Sequence, residues 1–331
     1  MADKIVLVTD YTWSSTEPEA RVLAEVGARL LVAQTGSEEE LVKLAPQADA
    51  ILTCFAHVTP KVIRAGERLQ VVGRYGIGVD NIAVDEATRL GIPVTNVPAY
   101  CLDEVAEHAL AFLLALARHV CSYDTAVRTG NWDLKTGMPI FRMNGRTLGI
   151  LGFGKIGQTL AAKARGLGLR LIAYDPFLPD AVFSQNHTEK VGLEELFERA
   201  DFISVHMPLT PDTRHMVSTP LLRKMKPTAF LVNTSRGGVI DQAALLLALQ
   251  EGWLAGAGLD VFEPERLPPD HPLLHAPNLL TTPHVAFYSE ESVVELEVKA
   301  AQNVAAILAG HRPAAVVNPQ VLELERWKHL R

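Results

Sequence analysis

The chain has 331 residues, 48% hydrophobic and 21% charged, with a formal net charge of −7. That length predicts about two domains and that composition a soluble globular protein. The negative balance argues against nucleic acid or an anionic membrane as the main partner. Three cysteines, Cys54, Cys101 and Cys121, show neither CxxC spacing nor metal-ligand neighbours. Reduced thiols in a cytoplasmic protein, with no metal site, are expected. Met1-Ala2-Asp3-Lys4 leads straight into a strand, which predicts no signal peptide, and no apolar run is long enough to span a bilayer.

The first hundred residues alternate short apolar runs with amphipathic ones. Ile5–Thr9, Leu30–Val32, Ala50–Thr53, Val71-Val72 and Pro93–Thr95 read as strands, with helices over Glu17–Glu25, Glu38–Leu44, Pro60–Ala65 and Val84–Leu90. Such alternation predicts a parallel sheet covered on both faces. Asn96-Val97-Pro98 marks a crossing out of this domain, since a residue before proline is held extended. Asp103 is expected to cap a long helix running towards Arg118, and 128–145 reads as loop.

At Thr147 a second α/β pattern begins. Its first strand ends in Gly152-x-Gly154-x-x-Gly157, and an Ala/Leu-rich helix follows to Leu167. Gly152 allows a tight turn, Gly154 lets backbone approach a pyrophosphate, and Gly157 lets helix and strand pack closely. The helix start, at Lys155 and Ile156, turns its N–H groups to the phosphates. The next strand ends at Asp175, eighteen residues past Gly157, near the spacing for a carboxylate that meets ribose hydroxyls and repels a 2′-phosphate. NAD is therefore expected over NADP. Strands follow at Phe202–His206, Ala229–Asn233, Gly256–Asp260 and Leu279–Thr281, and a long helix at Glu290–Leu308 is ended by Gly310.

In doubly wound sheets chemistry gathers at the carboxyl ends of the strands. Three candidates stand there. Arg236, on a turn before Gly237-Gly238, has a guanidinium suited to a bidentate grip on a carboxylate. Glu263 and Glu265 both follow the strand that ends at Asp260, and local reasoning does not choose between them. His284, in Thr282-Pro283-His284, carries the one side chain poised to exchange a proton near neutral pH.

Several motifs together resemble the D-isomer-specific 2-hydroxyacid dehydrogenases: Gly76-Ile77-Gly78-Val79-Asp80-Asn81, Val105-Ala106-Glu107-His108, the glycine turn, Val205-His206-Met207-Pro208-Leu209, Asn233-Thr234-Ser235-Arg236-Gly237-Gly238, Leu259-Asp260-Val261-Phe262 and Thr282-Pro283-His284. The match runs from about Ile5 to about Val317. The resemblance implies an α/β fold of two doubly wound domains: a flavodoxin-like substrate domain (1–98 and 290–331) and a Rossmann NAD domain (99–289), with a cleft between them. It implies Arg236, Glu265 and His284 as the catalytic trio, choosing Glu265 because the family glutamate lies five residues after the aspartate matching Asp260. Arg266 stands where the family usually has proline.

By the same resemblance Arg74 and the amides of Ile77, Gly78 and Val79 meet the substrate. His206, Pro208 and Thr213 line adenine and ribose, and Thr234 and Asp260 the nicotinamide. A homodimer through the long helix and the loop around Trp132 is implied. Gly73–Gly78, Ala229–Gly238 and His284–Ser289 are similar to the C-terminal-binding-protein-like branch, whose eukaryotic members are corepressors. An NAD(H)-sensing interaction protein is thus the rival to an enzyme. Phosphoglycerate and glyoxylate/hydroxypyruvate dehydrogenases are further alternatives. That branch carries tryptophan where Phe287 stands, which points to an aromatic wall beside the substrate and a preference for apolar 2-oxo acids.

Overall fold

The computed structural model describes residues 4–330; the expectation drawn from Met1-Ala2-Asp3 lies outside them. The described chain forms two compact units, one running to Tyr100 and resuming at Ser289, the other spanning Cys101–Tyr288.

In the first unit five strands, β1 (Lys4–Val8), β2 (Ala28–Val32), β3 (Ala50–Thr53), β4 (Val71–Arg74) and β5 (Val94–Thr95), pair in the order β2-β1-β3-β4-β5. All pairs are parallel, and the order is flavodoxin-like. The long helix Glu290–Ala309 begins at a Ser289 cap and stops at Gly310, whose φ is +81°. It covers one face of this sheet beside Glu17–Ala24, burying Leu296, Ala300, Val304 and Ile307. Between these helices lie two buried carboxyl groups, Glu19 and Glu297. Tyr75 Oη donates to Glu19 Oε1 at 3.0 Å, and burial pushes both acids above the usual carboxylate range. The tail beyond Pro313 is folded rather than loose. Trp327 is buried and donates from Nε1 to Gly91 O at 2.8 Å.

The second unit is built on β6 (Thr147–Leu151), β7 (Arg170–Tyr174), β8 (Glu189–Lys190), β9 (Phe202–Val205), β10 (Phe230–Asn233), β11 (Gly256–Leu259) and β12 (Leu279–Thr281). Their order, β12-β11-β10-β9-β6-β7-β8, is the dinucleotide-binding arrangement with one added strand, and it reverses between β6 and β9. Ligands of such sheets bind at that reversal, beyond the carboxyl ends.

Local structure departs from expectation at three places. Cys101, not Asp103, precedes the helix Leu102–Ala117, and no side chain caps it; Asp103 lies in the first turn and pairs with Lys163 at 2.8 Å. His119 then adopts a left-handed conformation and a second helix, Val120–Arg128, follows. The two-residue β8 is too short to leave a periodic signal. Helix Leu102–Ala117 buries Val105, Ala109, Phe112 and Leu116, and among the described residues no single helix is long and apolar enough to cross a membrane.

Candidate active site

The glycine turn after β6 has the build a dinucleotide needs. Gly152 has φ +91°, and a Cβ on Gly157 would meet Gly152 O at 2.5 Å, so helix and turn pack closer than a side chain permits. A Cβ on Gly154 would meet nothing within 4 Å, and no side chain caps the helix Lys155–Arg165. Its first N–H groups are thus available to a phosphate. Asp175, past β7, accepts from Phe153 N and Phe177 N, both at 3.0 Å, and so ties its own strand end to the turn.

Across the reversal, His206 follows β9. Ser204 Oγ lies 2.8 Å from its Nε2, and burial pushes its pKa down to about 4, so the ring is neutral. His206 Nδ1 and Thr234 Oγ1 are buried without a hydrogen-bonding partner. Orphaned polar atoms at the carboxyl ends of β9 and β10, the first of them on a residue packed against Gly152, fit a bound dinucleotide.

Backbone register sets the other side of the edge. Asn233, Leu259 and Thr281 stand level on β10, β11 and β12, so the segments carrying Arg236, Glu265 and His284 leave the sheet together. Asn233, fully buried, holds the arginine turn: its Nδ2 donates to Arg236 O at 2.9 Å, while its Oδ1 accepts from Ser235 N and Oγ. A Cβ on Gly237 would lie 2.1 Å from the backbone of Phe262, locking this turn against the next strand's loop.

Glu263 and Glu265, indistinguishable locally, part company here. Glu263 binds Arg214 and, at 3.1 Å, His215 Nε2; these partners hold its carboxyl below the usual range. Glu265 Oε1 instead lies 2.6 Å from His284 Nδ1. Phe287 sets its ring edgewise to His284, centroids 6.3 Å apart, and is half-buried.

Three residues expected to meet ligands are also bonded within their own loops. Asp260, expected at the nicotinamide, is fully buried, and both carboxylate oxygens accept from the His284 loop: Thr282 Oγ1 at 2.5 Å, and Val285 N and Ala286 N at 2.9 Å. Thr213 was expected to face ribose or adenine. It is buried, donating to Pro208 O at 2.6 Å and accepting from Thr210 N at 2.8 Å, so it shapes the loop that carries Pro208. In the first unit, Arg74 is buried and donates to the carbonyls of Gly78 at 3.0 Å and of Tyr75. With Asn96 donating to Ile77 O at 2.7 Å, it fixes the Gly76–Val79 loop from within. Asn233, Thr282 and His108 stand in the motifs quoted from the sequence but were given no role there. Each acts on backbone or on another buried side chain, and only the level of β11 with β12 signals that Thr282 neighbours Asp260.

A glycine turn at the sheet reversal, with an acid-backed imidazole further along the edge, defines a nicotinamide-dependent dehydrogenase. The family described as D-isomer specific 2-hydroxyacid dehydrogenase, NAD binding domain, matches residues 110–286, and the chain belongs to it. The chain is 42% identical to a glyoxylate reductase of Korarchaeum cryptofilum over 87% of its own length and 88% of that protein. It is 41% identical to a D-3-phosphoglycerate dehydrogenase of Synechocystis, spanning 87% of this chain but only 52% of that one. Among solved structures, D-lactate dehydrogenase from Aquifex aeolicus complexed with NAD and lactic acid superposes with a TM-score of 0.84 at 25% identity, covering 97% of this chain and 98% of that one. The chain is an NAD-dependent oxidoreductase acting on CH–OH donors. The relatives just named are not C-terminal-binding proteins, so the expected placement in that branch finds no support in them.

Asp175→Ala should weaken NADH binding about tenfold, by losing a charged acceptor in the turn, and should bring NADPH closer to parity. Dissociation constants for both cofactors check this; unchanged discrimination would contradict the role given to Asp175.

Proposed function

We propose that the chain reduces a short 2-oxo acid to the 2-hydroxy acid with NADH, His284 serving as general acid. The 2.6 Å contact between Glu265 and His284, on the strand edge that also carries Arg236, is the observation that carries this reading. When bound, NADH supplies hydride to the carbonyl carbon. Arg236 offers a planar fork to the substrate carboxylate and stabilises negative charge as it grows on the carbonyl oxygen. Glu265, accepting from Nδ1–H, fixes the His284 tautomer and orientation, so that protonated Nε2 donates to that oxygen. Gly152, Gly154, Gly157, Lys155 and Ile156 hold the pyrophosphate, Asp175 the ribose hydroxyls, His206 and Pro208 the adenosine side, and Thr234 the nicotinamide side. The amides of Ile77, Gly78 and Val79 are the anion-binding groups of the first unit.

The glyoxylate reductases among the relatives support glyoxylate as the reference substrate. A second reading, preference for medium apolar 2-oxo acids, is favoured by Phe287: its ring packs edgewise on His284, where each buried methylene is worth about 0.8 kcal/mol. A sensor that binds NADH and turns nothing over is the alternative class. We also propose a homodimer through 128–145, where Trp132 is 80% exposed and Leu134 81% exposed. Light scattering at micromolar concentration should give twice the chain mass, and a monomer would contradict it.

kcat/KM should be measured for glyoxylate, phosphohydroxypyruvate, phenylpyruvate and 4-methylthio-2-oxobutyrate in wild type, His284→Ala and Phe287→Ala. The His284 variant should lose ~10²–10⁴-fold in rate. Near wild-type turnover in that variant would overturn the mechanism. No turnover by wild type would favour the sensor. If glyoxylate leads and Phe287→Ala changes no ratio, the apolar preference fails.

A further inference from the structure

His108 lies in a motif that the mechanism so far leaves idle. It sits in the helix Leu102–Ala117, and its ring stands edgewise on Phe112, centroids 4.9 Å apart. Phe112 in turn presses on β11: a Cβ on Gly258 would lie 2.8 Å from its ring. The helix therefore holds His108 at a fixed height over β11, the strand that leads into Asp260.

From there a continuous set of hydrogen bonds runs to the general acid. His108 Nε2 lies 2.9 Å from Thr282 Oγ1, and Thr282 Oγ1 lies 2.5 Å from Asp260 Oδ1. Asp260 has no exposed surface, and its two carboxylate oxygens accept from Val285 N and Ala286 N at 2.9 Å; its carbonyl accepts from His284 N at 2.8 Å. Three consecutive residues, His284 to Ala286, thus hang from one buried aspartate. They have reason to be held. His284 has φ +57°, in the left-handed region that a residue bearing a Cβ avoids, so its backbone relaxes elsewhere unless the surroundings determine it.

The donor order follows. Asp260 accepts on both oxygens, so Thr282 gives its single proton to Oδ1. Its oxygen then accepts from His108, which places a proton on His108 Nε2.

We propose that Thr282 and His108 are positioning residues for the reaction, acting through Asp260 to hold the left-handed turn that aims His284 at Glu265 and at the substrate. The inference rests on the reading of His284 as general acid. Thr282 is the hinge of the relay, because its hydroxyl hydrogen-bonds to both ends while His108 Nε2 itself stays 3.8 Å from Asp260 Oδ1, beyond hydrogen-bonding reach; a valine of the same shape keeps the packing and removes both bonds. A displaced general acid slows the chemical step without touching the glycine turn that binds cofactor.

The test uses the full-length protein with glyoxylate and NADH, and reads kcat and the NADH dissociation constant separately in Thr282→Val, Thr282→Ser, His108→Leu and His284→Ala. Thr282→Val should lower kcat by ~10–100-fold, the scale of a catalytic group displaced by about an ångström, with NADH affinity within about threefold of wild type. Thr282→Ser should restore kcat to within about threefold, and His108→Leu should fall between the two. Thr282→Val with kcat within twofold of wild type, while His284→Ala is inactive, would overturn this inference alone. Parallel loss of kcat and NADH affinity, unrepaired by serine, would also overturn it, because that is the mark of general destabilisation. If Thr282→Val does not fold, His108→Leu with wild-type kcat decides against the relay. An active His284→Ala would instead sink the general-acid reading beneath it.

Discussion

His284 Nδ1 and a Glu265 oxygen lie 2.6 Å apart, and much of the second unit's carboxyl edge exists to keep them so. Neither residue belongs to a regular element; both ride on loops, where geometry is set by whatever the loop backbone can bond. Asp260 supplies that anchor for His284, and the pairing of Glu263 with Arg214 and His215 supplies it for the Glu265 segment. Buried charge is costly unless fully partnered, and here each partner is a donor whose placement matters to the site. The cost of burying Asp260 is thereby turned into order at His284.

The cofactor end follows a different logic. There the chain leaves donors open instead of closing them. The helix Lys155–Arg165 has no side-chain cap, and Gly154 leaves room above the turn, while His206 Nδ1 and Thr234 Oγ1 are buried unpartnered. In a structure where buried polar groups nearly always find a partner, that combination marks a place for a polar ligand. Asp175 serves both ends of this arrangement, since it pins the turn through Phe153 N while presenting a carboxylate at the end of β7.

The fold was legible because its signals are local. Strand–helix alternation gave both parallel sheets, and the glycine spacing gave the turn after β6. The places of Arg236 and His284 on strand-end loops were also visible. What stayed hidden depends on pairings far apart in the chain. Glu263 and Glu265 differ because Arg214 and His215, about fifty residues away in the chain, bind the former while His284 meets the latter. Arg74, Thr213 and Asp260 were assigned to ligands by resemblance alone; nothing in the sequence signalled the carbonyls, amides and hydroxyl that they bind in the structure. A polar side chain's type shows what it can bind, and burial decides what it does bind. The helix Val120–Arg128 was missed for a related reason: His119 enters a left-handed conformation without the glycine that usually announces such a break.

The claim at the centre is that Glu265 makes His284 an effective acid. The most direct measurement is a single turnover in stopped flow, mixing NADH-loaded wild type or Glu265→Gln with glyoxylate and following loss of NADH absorbance. If the carboxylate orients the imidazole, the glutamine variant binds NADH as wild type does but consumes it at least tenfold more slowly, a sizeable part of the ~10²–10⁴ that a general acid contributes. Equal rates of consumption in the two proteins would contradict it.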